Sequence, residues 1–223
     1  CPECNTRLTA MDLIPVLSFI TLKGRCRYCK AKISARYPLI ELLTGLVYLA
    51  VSLKYGLSVE TLALLYLFSI LLAVLFIDLK HMIIPNGLVL LGMAGGALIF
   101  MYNIFTPFYL YQPSRWYTPL IGMVSASGIL FAIALVGLLI YGNDGAMGMG
   151  DVKLFIPIGM FLGWKLTLLS LFLSVMLGGI TSILLLAFKI VKRKSAIPFG
   201  PFIVVGTFIA ALAGYDILSW YFL

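Results

Sequence analysis

The sequence has 223 residues, of which 62% are hydrophobic and 11% are charged, and its mean hydropathy is +1.10. Soluble domains carry roughly 25% charged residues, so this composition excludes an ordinary soluble protein and indicates a membrane protein. The net charge of +8 does not point to nucleic acid, because the basic residues cluster in the connections between apolar stretches, as membrane orientation requires.

The first 36 residues form a polar segment that contains all four cysteines, and its polarity excludes a signal peptide. Cys1 and Cys4 form one CxxC pair, Cys26 and Cys29 form another, and 21 residues separate the pairs. This spacing is typical of a four-thiolate zinc site. Two disulfides are the alternative, but they are disfavoured in the reducing cytoplasm. Since thiolates would fill all four positions, we expect a structural Zn²⁺ that folds this segment.

Seven apolar stretches follow, and they predict an all-α, polytopic bundle of transmembrane helices. The fifth stretch is shorter than the about 20 residues that a spanning helix needs, so we expect it to be tilted or partial. We therefore divide the chain into a cysteine segment, residues 1–36, and a transmembrane domain, residues 37–223. The stretches lie near residues 37–55, 58–79, 86–103, 118–142, 152–164, 166–188 and 198–222.

The basic residues predict how these spans are oriented. With seven alternating spans, the cysteine segment shares one side with the connections near 80–85, 143–151 and 189–197. That side carries thirteen Lys and Arg residues, and the opposite side carries three. Cytoplasmic loops are enriched in Lys and Arg, so we expect the cysteine segment to be cytoplasmic. Basic residues beside the cysteines could contact anionic lipid headgroups or simply be solvated.

Two acidic residues, Asp78 and Asp151, lie next to apolar runs, where a carboxylate costs about 2.5–3.5 kcal/mol to insert. Asp78 ends the second span and Asp151 begins the fifth, so both fall near the cytoplasmic face. Two carboxyl groups that share a proton can activate water for peptide-bond hydrolysis. The residues alone support a proton or ion pathway, or a polar clamp between helices, equally well.

The termini of the predicted helices give the two acids different roles. Asp151 lies at a helix N-terminus, which favours a carboxylate, and Asp78 lies near a C-terminus, which disfavours one. We therefore expect Asp151 to be the base and Asp78 the acid. Gly148 and Gly150 allow the backbone beside Asp151 to approach a peptide strand closely, although they also suit a flexible loop.

Two other features lie at the predicted cytoplasmic level. Glu41, about one turn into the first span, is expected to form an interfacial ion pair with Arg36. The last span begins with two prolines within four residues, which either line a cleft at the acids or simply start a helix. The residues expected at the cleft are Pro198, Phe199, Gly200 and Pro201.

These motifs together resemble the bacterial type IV prepilin leader peptidases, which are bifunctional membrane aspartic proteases. The match covers nearly the whole chain, through the two CxxC pairs, DLIPVLSF, RCRYCKAKIS, RYPLIELLTG, IDLKHMIIPN, GMGDVKL and PFGPF. The resemblance implies Asp78 and Asp151 as the catalytic pair in a bacterial inner membrane, with the active site facing the cytoplasm. It implies prepilin or pseudopilin substrates, and methylation of the new N-terminus from S-adenosylmethionine, for which Glu41 is a candidate binding residue.

One departure from the family leaves alternatives open. The family has an apolar span before the first cysteine pair, so we expect an upstream segment to be missing from this chain. Because methyl transfer is associated with the N-terminal part, leader cleavage without methylation is one alternative. A proton-coupled carrier that uses the paired aspartates is another, and an assembly scaffold with a zinc site is a third. Nucleic acid is not an expected partner, whereas membrane lipid is.

Overall fold

The computed structural model describes residues 1–112, 115–142, 148–192 and 195–222. Within these ranges the regular structure is helical, and the only β-type pairing is an isolated bridge between Arg25 and Lys32. The all-α architecture expected from the apolar stretches is therefore confirmed. The chain divides into two compact units, residues 1–53 and 54–223, so almost all of the first long helix belongs with the cysteine segment.

The first unit combines short turns with one long helix. A 3₁₀ turn, Ala10–Leu13, precedes the short helix α1, Leu17–Thr21, and the long helix α2 covers Arg36–Tyr55. The segment before α2 is too polar to build an apolar core, and ionic and backbone contacts organise it instead. Arg27 Nε donates to Asp12 Oδ1 over 2.6 Å, which ties the 3₁₀ turn to the second cysteine pair.

The second unit contains five helices, whose ends are set by local signals. Ser58 caps α3 by accepting a hydrogen bond from the Thr61 N–H, and Met82 ends α3 in a left-handed conformation with φ 54°. Gly142 ends α5 in the same way, with φ 67°. The helices are α3, Val59–His81; α4, Asn86–Phe105; α5, Thr118–Tyr141; α6, Met149–Ala187; and α7, Gly200–Phe222.

Helix α6 reverses direction at Gly163, which has φ 70° and ψ 172°. Gly163 lies against Thr118, at the start of α5, and against Tyr111. Asp151 and Val175, one on each side of Gly163 in sequence, line the same cavity, so the two legs of α6 run antiparallel. These legs correspond to the fifth and sixth predicted spans, and the first leg is short, as expected.

Across the described residues, six helices, α2 to α7, are long and apolar enough to cross a membrane. In the second unit, α3 and α7 pack through the rings of Phe68 and Phe208, whose centroids are 5.5 Å apart. The second leg of α6 meets α7 through a hydrogen bond of 2.8 Å between the buried hydroxyls of Ser170 and Thr207. Such contacts fix the helix ends that carry the candidate site.

Candidate aspartate site and cysteine cluster

Asp78 lies in the last turn of α3 and is buried, with 5% of its surface exposed. Its Oδ2 accepts a hydrogen bond of 2.9 Å from the backbone N–H of Gly200. Gly200 is the first residue of α7, so the carboxyl group of Asp78 lies at the N-terminus of that helix, where unpaired N–H groups favour negative charge. One oxygen of Asp78 is thereby fixed in position.

Asp151 lies in the first turn of α6, three residues after Gly148, which caps the helix. The Asp151 N–H donates to the Gly148 carbonyl over 3.1 Å. A Cβ built on Gly148 would lie 3.0 Å from Asp151 Oδ2, so a side chain at residue 148 would crowd the carboxylate. The glycine keeps that space open on the side from which the backbone enters the helix.

Both aspartates line one cavity of about 840 Å³ in the second unit. Four of the residues predicted to lie near them also line it: Gly148, Gly150, Pro198 and Phe199. Gly200 reaches the site through its N–H, whereas Pro201 lies in the first turn of α7 and is not among the lining residues. The structure thus brings together side chains from α3 and α6 and the segment before α7.

Several cavity residues were not among those expected to line the site. Lys153 and Asn86 line the cavity, and Lys153 Nζ donates to Asn86 Oδ1 over 3.3 Å. Lys153 is the one basic residue among the described residues that line this cavity. Apolar walls come from α5, the second leg of α6 and the residues that follow α3, namely Leu130, Ile133, Val175, Met82, Ile83 and Ile84. A partly apolar cleft with two acids suits a peptide that carries apolar side chains.

The assignment of base and acid from helix termini needs revision. The sequence placed only Asp151 at a helix N-terminus, but Asp78 also meets one, that of α7. Gly200 follows Asp78 by 122 residues, so this contact was not visible as a local pattern. Helix polarity therefore no longer separates the two acids.

The four cysteines lie together in the first unit, and their sulfur atoms are all within 4.8 Å of one another. Cys1 Sγ and Cys29 Sγ are 3.9 Å apart, close to the edge of about 3.8 Å expected for four sulfurs around a tetrahedral metal ion. A side-chain hydrogen bond with Thr6 is the main cause that lowers the pKa of Cys4 to about 7. The cluster can therefore hold a metal ion.

Glu41 does not pair with Arg36 within the described part of the chain. Its Oε2 accepts a hydrogen bond of 3.0 Å from the backbone N–H of Val16, a residue with φ 61°. A positive φ is unfavourable for a β-branched residue, so the Glu41 contact helps to hold an unusual backbone turn. Glu41 also lines a second cavity of about 520 Å³, formed entirely by residues 1–41.

The sequence matches two protein families. The profile of the bacterial peptidase A24 N-terminal domain matches residues 1–55, and that of the type IV leader peptidase family matches residues 65–183. No solved structure matches the chain.

Curated relatives match almost the entire chain. Relatives from three bacteria are each named prepilin leader peptidase/N-methyltransferase. The one from Aeromonas salmonicida is 38% identical over 99% of this chain and 73% of its own length. The Bacillus subtilis relative is 34% identical over 99% of this chain and 84% of its own. The Pseudomonas aeruginosa relative is 32% identical over 99% of this chain and 73% of its own length.

Proposed function

Because the chain belongs to the type IV leader peptidase family, we propose that it cleaves the leader from prepilins and pseudopilins and methylates the new N-terminus. The observation that carries the proteolytic half is the presence of Asp78 and Asp151 on one cavity. The family match and the names of the relatives support the specific substrate and the methyl transfer.

The proposed chemistry is hydrolysis by a pair of carboxyl groups that hold one proton between them. The ionised carboxylate takes a proton from a water molecule while the water oxygen attacks the scissile carbonyl carbon. The protonated carboxyl group donates its proton to the carbonyl oxygen. Collapse of the tetrahedral intermediate breaks the C–N bond. The amine leaves with a proton from the pair, and one hydroxyl of the intermediate returns a proton to the pair as the new carboxyl group forms. The Gly200 N–H keeps one oxygen of Asp78 fixed during these steps.

The charge distribution supports a location in the bacterial inner membrane with the aspartates facing the cytoplasm. Thirteen of the sixteen basic residues fall on the side predicted to be cytoplasmic. Six apolar helices in the described part support integration into the bilayer. A substrate whose apolar helix stays in the membrane would then present its leader to the cavity from the cytoplasmic side.

The cysteine cluster fits zinc. Four thiolates leave no position for a reactive water, so a bound Zn²⁺ would be structural and would hold the polar segment before α2 together. The short distances among the four sulfurs agree with thiolate ligands around one ion. The expected ligand of this cluster is therefore a structural Zn²⁺.

The cavity of the first unit fits S-adenosylmethionine. Its volume, about 520 Å³, lies within the roughly 300–1,000 Å³ range of small-molecule sites. Glu41 provides a carboxylate for a cationic group, Lys32 provides an ammonium for a carboxylate, and Tyr37 and Phe19 provide aromatic faces for a purine. When bound, S-adenosylmethionine supplies an electrophilic methyl group for transfer to an amine.

The test is to incubate the purified chain in detergent with a leader-bearing prepilin and S-adenosylmethionine, then measure the product mass. The proposal predicts loss of the leader and gain of one methyl group on the new N-terminus. Glu41→Gln should still cleave but leave the product unmethylated. Glu60→Gln is the matched control, since Glu60 also accepts a backbone N–H, from Tyr109. With the wild-type chain, a substrate of unchanged mass would refute the proposed leader cleavage. A wild-type product that is cleaved but not methylated would refute the proposed methyl transfer.

A further inference from the structure

Two non-helical segments, residues 83–85 and 196–198, line the aspartate cavity through Ile83, Ile84, Ala196, Ile197 and Pro198. Each segment ends in an Ile-Pro dipeptide, and a residue that precedes proline is restricted to extended conformations. Pro85 itself is extended, with φ −66° and ψ 127°. The cavity is therefore bordered by two short stretches of extended backbone.

The backbone of these stretches is left open. Among the described residues, none accepts a hydrogen bond from the N–H of Ala196 or Ile197, and none donates to their carbonyls. The same is true of Ile83 and Ile84. Ile83 and Ala196 are exposed, and Ile84 and Ile197 are half-buried. Their backbone groups are therefore accessible, and an occupant of the cavity can replace water as their hydrogen-bonding partner.

The two stretches lie beside the two acids. A Cβ built on Gly150, the residue before Asp151, would lie 3.0 Å from the Cβ of Ile84. At the other stretch, Pro198 is two residues before Gly200, whose N–H holds Asp78. A peptide paired with residues 196–198 would thus be aligned by the same backbone that fixes one carboxyl group.

We infer that the substrate binds as an extended strand, hydrogen-bonded to the main chain of residues 196–198. This inference rests on the proposed function. It identifies the ligand of these residues as an extended peptide that is recognised through hydrogen bonds to its main chain. Adding a strand to an exposed backbone gives affinity through main-chain bonds with little demand on side-chain identity. Because Pro198 has no N–H, the pairing depends on Ala196 and Ile197, whose N–H groups point to opposite sides of a strand.

The test uses substrate peptides in which single amide bonds near the cleavage site are replaced by esters or N-methyl amides. In a strand, every second residue bonds to a given neighbour. We therefore expect kcat/KM to fall about tenfold at alternating positions, with little change between them. N-methylation well outside this region is the control. Cleavage of the unmodified peptide without any alternating pattern would overturn the inference and leave the peptidase assignment intact, whereas no cleavage of the unmodified peptide would count against both.

Two enzyme variants locate the pairing. Ala196→Pro and Ile197→Pro each remove one N–H, and only the variant that removes the N–H facing the peptide should lower kcat/KM by about tenfold. In that variant, an ester that weakens the substrate carbonyl bonded to the missing N–H should cost nothing more, because that hydrogen bond is already absent. Additive losses in both variants would contradict pairing with this segment. If neither variant folds, the substrate series alone decides.

Discussion

The contact between Gly200 and Asp78 predicts a large effect from adding one methyl group. A Cβ on residue 200 would lie 2.6 Å from Asp78 Oδ2, 3.0 Å from its Cγ and 3.1 Å from its Cβ. Real Cβ atoms almost never approach closer than 3.0 Å, so in Gly200→Ala the carboxyl oxygen must move by at least 0.4 Å. Because a misplacement of about 1 Å at a reacting group can reduce the rate about 100-fold, we expect kcat for leader cleavage to fall about 10- to 100-fold.

The same substitution should not unfold the protein. Residue 200 is the first residue of α7, and its φ is not in the left-handed region that only glycine adopts easily, so alanine suits its backbone. The assay compares kcat, KM and Tm in detergent for Gly200→Ala and for Gly179→Ala, a helical glycine with nothing within 4 Å of its added Cβ. Gly179→Ala should cleave normally. Full activity in Gly200→Ala would refute the argument that this backbone positions Asp78, and a matching fall in Tm would assign the loss to unfolding.

Three further predictions concern the rest of the fold. Elemental analysis should find about one zinc per chain in the wild type and none in Cys26→Ala; a wild type without zinc, or a variant with a full zinc content, would rule out the four-thiolate zinc site. Hydrogen bonds from Thr9 and Arg27 lower the pKa of Asp12 to about 2, so its stabilising effect is present above the ordinary pKa of 3.8 and is lost as pH falls toward 2. Asp12→Asn should therefore lower Tm at about pH 6, with a difference that shrinks below about pH 4; a difference independent of pH would contradict this. Gly163→Ala forces a left-handed residue and places a Cβ 3.0 Å from Thr118 Cγ2, which should cost about 1–3 kcal/mol and lower Tm. Gly87→Ala, whose added Cβ meets nothing within 4 Å, is its control, and equal Tm values for the two would refute a constrained reversal.

The helices were predictable because hydrophobicity dominates the behaviour of a chain in lipid. The predicted span near 58–79 is α3, Val59–His81, and the span near 86–103 is α4, Asn86–Phe105. The reversal inside α6 falls at Gly163, next to the predicted end of the fifth span at residue 164. The cluster of four sulfurs followed from CxxC spacing alone. These features depend on residues that are close in sequence, so they can be predicted from sequence patterns.

The features that we could not predict depend on contacts between residues that are far apart in sequence. The Gly200 N–H meets Asp78 because α7 begins beside the end of α3, and no periodicity encodes that meeting. Glu41 was expected to pair with Arg36 by charge, but it accepts from the backbone of Val16, whose positive φ cannot be read from a valine. The cavity of the first unit joins residues from 1 to 41 that are far apart in sequence, so no local pattern indicates it.

In the proposed mechanism, Asp78 and Asp151 act as one unit on the scissile bond. The most direct measurement compares leader cleavage rates in wild type, Asp78→Asn, Asp151→Asn and the double variant. Residues that act as a unit show strongly non-additive effects, so each single variant should fall to the same residual rate as the double variant. A single variant that keeps near-normal turnover, or losses that multiply in the double variant, would contradict the shared-proton mechanism.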